Sequence, residues 1–436
     1  MKRLVLCLSA IILFVLPAQA IEIREVISPK GVRAWLVEDH ALPIFSVNFA
    51  FRGGSTQDPA GREGLATLMS GLFDEGAGTL DREAFGAGLD ETGAQMRFSA
   101  SRDAFYGSLR VTTDSRDAAL DLLREAVNRP RFDAEPFERI RAQLLSGVQA
   151  RANDPQALAG RKWLEALYGD HPYAREDNGT AQSLSAMTAE ELHRFHKQQF
   201  ARSNLVIGVV GDISPEALAE ALDRVFGDLP AEAQLTPVPD VTPVLAQEVR
   251  FDYDLPQATL QFAYPGVKRD DPRFFAGVLM NQVLGGDDTG SRLFDEVREK
   301  RGLAYGVGSS LVSYDHAQAL VISTATQAPR ATETLNVIRE TVRSMADKGP
   351  SEAELDAAKR YLIGAYAINN LSSSAAIAGT LVMLQLENLP IDYIDRRTSL
   401  IEGVSVEDTR TVARELLLAE PAVLVIGPNL TRTVTP

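Results

Sequence analysis

Apolar and polar residues alternate in FSVNFAF (45–51) and in ATLQFAY (258–264), the two-residue period of a strand with one buried face. Two further pairs of alternating runs read as hairpin strands: AQMRFSASRD with FYGSLRVTT at 94–113, and AYGVGSSLVSY with AQALVISTAT at 304–326. Between them the period changes. SRDAALDLLREAVNRP places Ala119, Leu122, Leu123, Ala126 and Val127 on one helical face. Helices are predicted at 115–128, 134–151 and 155–168. TAEELHRFHKQQF (188–200) opens with Thr188 as cap and acids in the first turn, then runs into a closing strand, NLVIGVVG.

The pattern occurs twice. VNFAFRGG at 47 parallels LQFAYPGV at 260, AALDLLREAV at 118 parallels ETLNVIRETV at 333, LSAMTAEELHRF at 184 parallels IEGVSVEDTRTV at 401, and NLVIGVVGD at 204 parallels PAVLVIGPN at 421. The offset stays between 213 and 217 residues, so the chain reads as a duplicated domain. The intervening PAEAQLTPVPDVTPVLAQE (230–248) holds four prolines and reads as an extended linker. The expected architecture is α+β: two homologous domains, 21–230 and 248–436, each a mixed or antiparallel sheet packed with helices, joined by a linker at 231–247.

Composition adds a compartment. MKRLVLCLSAIILFVLPAQA begins with Lys2 and Arg3, continues apolar to Leu16 and ends in Ala18-Gln19-Ala20, the form of a signal peptide at 1–20 cleaved after Ala20. The expected location is the periplasm. The single cysteine, Cys7, lies in that segment, so cleavage excludes disulfides, thiol catalysis and cysteine-ligated zinc. The formal charge is −15 and no basic patch stands out, which argues against nucleic acid as partner. No later apolar run reaches membrane-spanning length.

Candidate chemistry is sparse. His193 and His196, three apart on a helix, could share a face and bind a metal, but a third ligand is not evident; His40 and His171 read as loop residues, His40 in a hairpin turn. There is no Gly-x-Ser-x-Gly elbow and no phosphate loop. LGGDDTGSRLFDEVREKRGLAYGVGSS (284–310) runs from a glycine-rich loop through a short helix into a strand. There Arg292, Arg298 and Arg301 put cations beside Tyr305, an arrangement that could bind a carbonyl oxygen or a carboxylate, although spacing alone favours an exposed helix with an edge-strand tyrosine.

This stretch resembles the C-terminal-domain motif of the M16 (pitrilysin-like) metallopeptidases, which include the mitochondrial processing peptidase. The likeness extends to the duplicated halves, the HPYAREDNGT loop, the LSAMTAEELHRFHKQQFARSNLVIGVVGD segment and the linker. In that family an Arg and a Tyr seven positions apart bind substrate near the zinc of an opposite domain; Arg298 and Tyr305 have that separation. Active members carry H-x-x-E-H after GLA. Here GREGLATLMSGLFDEGAG (61–78), read as one buried helix, puts Thr67, Ser70 and Gly71 at those positions, and Gly147 stands where the third ligand is expected.

The resemblance implies a chain without metal of its own. It would be the zinc-free subunit of a heterodimeric peptidase acting on peptides. Arg298 and Tyr305 would serve a partner that carries H-x-x-E-H and the Zn, with Gly285 and Gly286 of the glycine-rich loop guiding substrate. A catalytically inert scaffold or peptide-binding subunit is the alternative.

Overall fold

A computed structural model describes residues 21–286 and 289–428. The leader at 1–20, Asp287 and Asp288 of the glycine-rich loop, and residues 429–436 lie outside them.

Six strands form the first sheet: β1 (Arg24–Ile27), β2 (Arg33–Glu38), β3 (Ile44–Arg52), β4 (Gln95–Ala100), β5 (Ala104–Thr112) and β6 (Leu205–Gly211), in the order β1-β2-β6-β3-β5-β4. The second sheet has five: β7 (Glu248–Asp252), β8 (Gln257–Pro265), β9 (Ala304–Ser313), β10 (Gln318–Gln327) and β11 (Ala422–Gly427), in the order β7-β11-β8-β10-β9. With β1 set aside, the two sheets share one topology. In each, the first strand pairs parallel with the last, which pairs antiparallel with the second, and an antiparallel hairpin completes the edge. The fold is therefore α+β, with two equivalent mixed sheets.

The strand pairing also corrects the turn at His40. The segment between β2 and β3 is no hairpin, because β6 lies between those strands. His40 instead meets Asp212 at the end of β6 (2.6 Å), and that carboxylate raises the imidazole above its ordinary pKa.

One face of each sheet carries its own helices. On the first, Phe45, Val47, Phe49 and Phe51 of β3 pack against Leu65, Leu68 and Met69 and against the helix Arg116–Asn128, whose buried residues include the predicted Ala119, Leu122, Leu123, Ala126 and Val127. On the second, Leu260 and Phe262 of β8 join Leu279, Met280 and Ile338.

The other face of each sheet is covered by a helix from the opposite half. Ser374–Leu386 lies on β3 and β6, burying Ala378, Leu381 and Leu384 with Trp35, Val37 and Val210. Pro155–Tyr168 lies on β7 and β11, burying Ala159, Trp163 and Leu167 with Ala263, Leu424 and Ile426. Gly208 makes the first contact possible: a Cβ there would stand 2.4 Å from the Ala378 carbonyl oxygen. Arg52 closes that helix's C-terminus, donating to the carbonyls of Leu386 (2.7 Å) and Gln385 (2.7 Å), where a cation suits the helix dipole.

Residues 231–247 contain neither helix nor strand, yet they are tied to both halves. Thr236 exchanges hydrogen bonds with Gln57, Val241 N–H donates to His316 O (2.8 Å), and Val244 N–H donates to Leu167 O (2.9 Å).

Candidate functional site

The helix expected to carry the zinc motif is short, Leu65–Ser70. The sequence pattern predicts a helix running on to residue 78, but Gly71 ends it, and Gly76 and Gly78 turn the chain with φ of 120° and 57°. Its N-terminus is held by Asp58, whose buried carboxylate accepts from the N–H groups of Gly64 (2.8 Å), Leu65 (3.1 Å) and Ala66 (2.9 Å). Gly64, at φ 90°, touches Gly179 of the DNGT turn, so that loop packs directly on the helix start.

The four degenerate positions cannot hold zinc. Thr67 spends its hydroxyl on Asp177 O (2.6 Å) and Ser70 spends its own on Thr67 O (2.8 Å). Gly71 and Gly147 offer no side chain, and a Cβ on Gly71 would already meet Ile140 at 3.1 Å. Gly147 lies within the helix Ala134–Arg151 and lines a 400 Å³ cavity whose wall mixes arginines such as Arg102, Arg151 and Arg175 with Glu176 and Asp177. Two hydroxyls and two glycines lack the imidazole, thiolate or carboxylate donors that Zn²⁺ requires. Among the described residues no three His, Cys, Asp or Glu side chains cluster as a metal site.

His193 and His196 do not form one either. His193 is exposed, beside the Phe132 ring (5.0 Å). His196 turns inward onto Phe200 (4.6 Å) and binds Val127 O through Nε2 (2.8 Å); burial pulls its pKa down to about 4.

The structure does bring Arg298 and Tyr305 together. The short helix Arg292–Phe294 continues into a widened turn, in which Lys300 N–H reaches Asp295 O (2.9 Å) and Leu303 N–H reaches Val297 O (2.8 Å). Such π-type turns often occur at functional positions. Gly302, at φ 55°, then reverses the chain into β9. The Arg298 guanidinium carbon stands 4.9 Å from the centre of the Tyr305 ring and 4.7 Å from that of Phe294. Tyr305 is 88 % exposed, on the outermost strand of its sheet.

The other two cations are not beside the phenol. Arg292 forms a bidentate pair with Glu354 (2.8 Å each) and caps Gly349 O, and the guanidinium drives the Glu354 pKa down to about 2. Arg301 pairs with Glu296.

Gly285, at the end of the helix Phe274–Gly285, has a packing role: a Cβ would stand 2.8 Å from both Leu293 Cδ1 and Ser309 Oγ. Gly286 follows, exposed, at the same helix end.

A contact that sequence reasoning missed joins the halves. Tyr173 of the HPYAREDNGT loop is fully buried; its hydroxyl donates to Asp103 (2.7 Å) and accepts from His316 N–H (3.0 Å). Its partners lie 70 and 143 residues away, and no local pattern marks them.

Residues 34–181 match the family described as Insulinase (Peptidase family M16), and residues 186–362 match Peptidase M16 inactive domain. A crystal structure of a peptidase M16 inactive domain from Pseudomonas fluorescens is 32 % identical, superposes with a TM-score of 0.87, and is matched over 94 % of this chain and 99 % of its own. An uncharacterized zinc protease of Mycobacterium leprae is 28 % identical over 94 % of this chain and 92 % of its own. The non-peptidase homolog YmxG of Helicobacter pylori is 26 % identical over 94 % of both chains. The chain belongs to the M16 peptidase family.

Proposed function

We propose that this chain is the zinc-free subunit of an exported, heterodimeric M16 metallopeptidase. The observation that carries the reading is the Arg298–Tyr305 stack. It presents a fixed cation and a solvent-facing phenol on an edge strand, in a chain whose own metal positions are hydroxyls and glycines. Paired subunits are common in the family, and a partner bearing H-x-x-E-H would supply the metal and the base. This chain's part is to bind and orient. The β9 edge offers main-chain groups to an extended peptide. Tyr305 O–H donates to the substrate carbonyl as it gains negative charge, and Arg298 holds the ring in place and adds positive potential.

The test is to purify the chain, mix it with an exported M16 chain that carries H-x-x-E-H, and follow cleavage of an unfolded peptide with and without chelator. Activity confined to the mixture is expected. Turnover by this chain alone would overturn the proposal.

A catalytically inert scaffold or peptide-binding subunit is the second reading. It is favoured by the position of the pair, since neither residue lines the 940 Å³ cavity between the chain's own halves.

A further inference from the structure

The cavity between the halves has an origin in the helix exchange. Ser374–Leu386 lies mainly on β3 and β6 and reaches only the start of β5, where Val382 and Leu386 pack with Ala104. The space beyond, closed by the helices Phe274–Gly285, Glu352–Asn370 and Tyr393–Glu402, measures 940 Å³, within the range of small-molecule sites.

Its charge runs against that of the protein. The chain carries −15, but the cavity wall holds three arginines, Arg97, Arg269 and Arg397, and one carboxylate, Glu387. Glu387 is already engaged: Arg269 binds it (2.7 Å), donates to Tyr393 O–H (2.6 Å) and stacks on Phe274 (4.1 Å).

Arg397 has no carboxylate partner among the described residues. Its guanidinium lies 4.1 Å over the Tyr366 ring and donates to the Leu362 carbonyl (3.1 Å). Burial, and to a smaller degree the neighbouring Arg269, hold its pKa below the usual guanidinium range. Arg97, from β4, makes no ion pair among the described residues, and the Asn48 amide from β3 lies free against Gly379 (3.3 Å to its Cβ position). A half-buried guanidinium without a counter-ion is costly, and a carboxylate is the group whose geometry matches it. The remaining wall is mostly apolar, with Phe98, Val278 and Met383, and is interrupted by the polar Ser99, Asn369 and Asn370.

We propose that this cavity binds a carboxylate carried on an apolar body, gripped by Arg97 from one half and Arg397 from the other. The carboxylate is that of a free apolar acid or the C-terminus of a hydrophobic peptide. This site is separate from Arg298 and Tyr305 and does not depend on any partner chain.

Calorimetric titration tests it, using octanoate against octanol and a hydrophobic pentapeptide with a free against an amidated C-terminus. Saturable binding of octanoate or of the free-carboxylate peptide is expected, and which of them binds identifies the source. Arg397→Gln should weaken binding about 10-fold or more, as for the loss of a charged hydrogen bond, and its Tm separately reports the loss of the Leu362 bond and the Tyr366 stack. Arg97→Gln, at an exposed position, should weaken binding in a chain that folds normally. Absence of saturable binding by either carboxylate, equal binding of octanol or the amidated peptide, or undiminished binding by both arginine variants would overturn the proposal.

Discussion

The Arg298 guanidinium lies across the Tyr305 ring at 4.9 Å, with Phe294 also in reach at 4.7 Å. They stand seven positions apart in sequence, and the widened turn with the Gly302 reversal is what converts that spacing into contact. Because the phenol faces solvent, the pair contributes little to folding. Tyr305→Phe and Arg298→Ala should each change stability by no more than about 1 kcal/mol in urea titrations. In the proposed heterodimer Tyr305→Phe should reduce kcat by about 10²–10³ while assembly persists. Unchanged turnover would remove Tyr305 from the mechanism.

Restoring the zinc motif should be harder than its letters suggest. Gly71→His forces a side chain against Ile140, already 3.1 Å from the Cβ position, and should cost about 1–3 kcal/mol. Gly147 is the opposite case. Nothing stands within 4 Å of its Cβ position, and it sits inside an 18-residue helix, so Gly147→Ala should stabilise by about 0.5–1 kcal/mol. Thermal and urea unfolding of the two single variants would show shifts of opposite sign.

Tyr173→Phe should be costly for so small a change. It removes the donor to Asp103 and the acceptor for His316 N–H at a point buried between the halves. The expected loss is about 2–3 kcal/mol in urea unfolding, with the ring packing kept. A loss below about 0.5 kcal/mol would mean that water replaces the hydroxyl.

Acid should act through His196. Its folded pKa is lowered to about 4, against an ordinary 6.5, so between these values the unfolded chain binds the proton and the folded chain does not. The stability it contributes is whole above pH 6.5 and is lost as pH falls towards 4, by up to about 3 kcal/mol. His196→Phe should remove that slope, so the difference between wild-type and variant stabilities should be flat above pH 7 and shrink through the window below it. A difference that does not vary with pH would show that folding leaves the His196 pKa unshifted.

Much of the fold was legible because one-sided burial leaves a period in the sequence. The helices expected at 115–128, 134–151 and 155–168 are found at Arg116–Asn128, Ala134–Arg151 and Pro155–Tyr168, and both hairpins lie where alternation placed them. Strand β2 escaped notice for the converse reason. Ala34, Trp35, Leu36 and Val37 are all buried, two against the first half's core and two against the exchanged helix, so no alternation survives. The resemblance to the family motif, more than the spacing, singled out Arg298 and Tyr305. It could not show that Arg292 is held by Glu354, 62 residues on, or that residues as far apart as Arg97 and Arg397 wall one cavity.

The exchanged helices bear on how the molecule comes apart. Each sheet is finished by a piece of chain that belongs to the other half, so a severed half would leave an oily surface bare. Cutting the proline-rich connector should accordingly yield two fragments that stay clasped and melt in a single transition, like the halves of a buckle, and neither should be recoverable in folded form when expressed by itself.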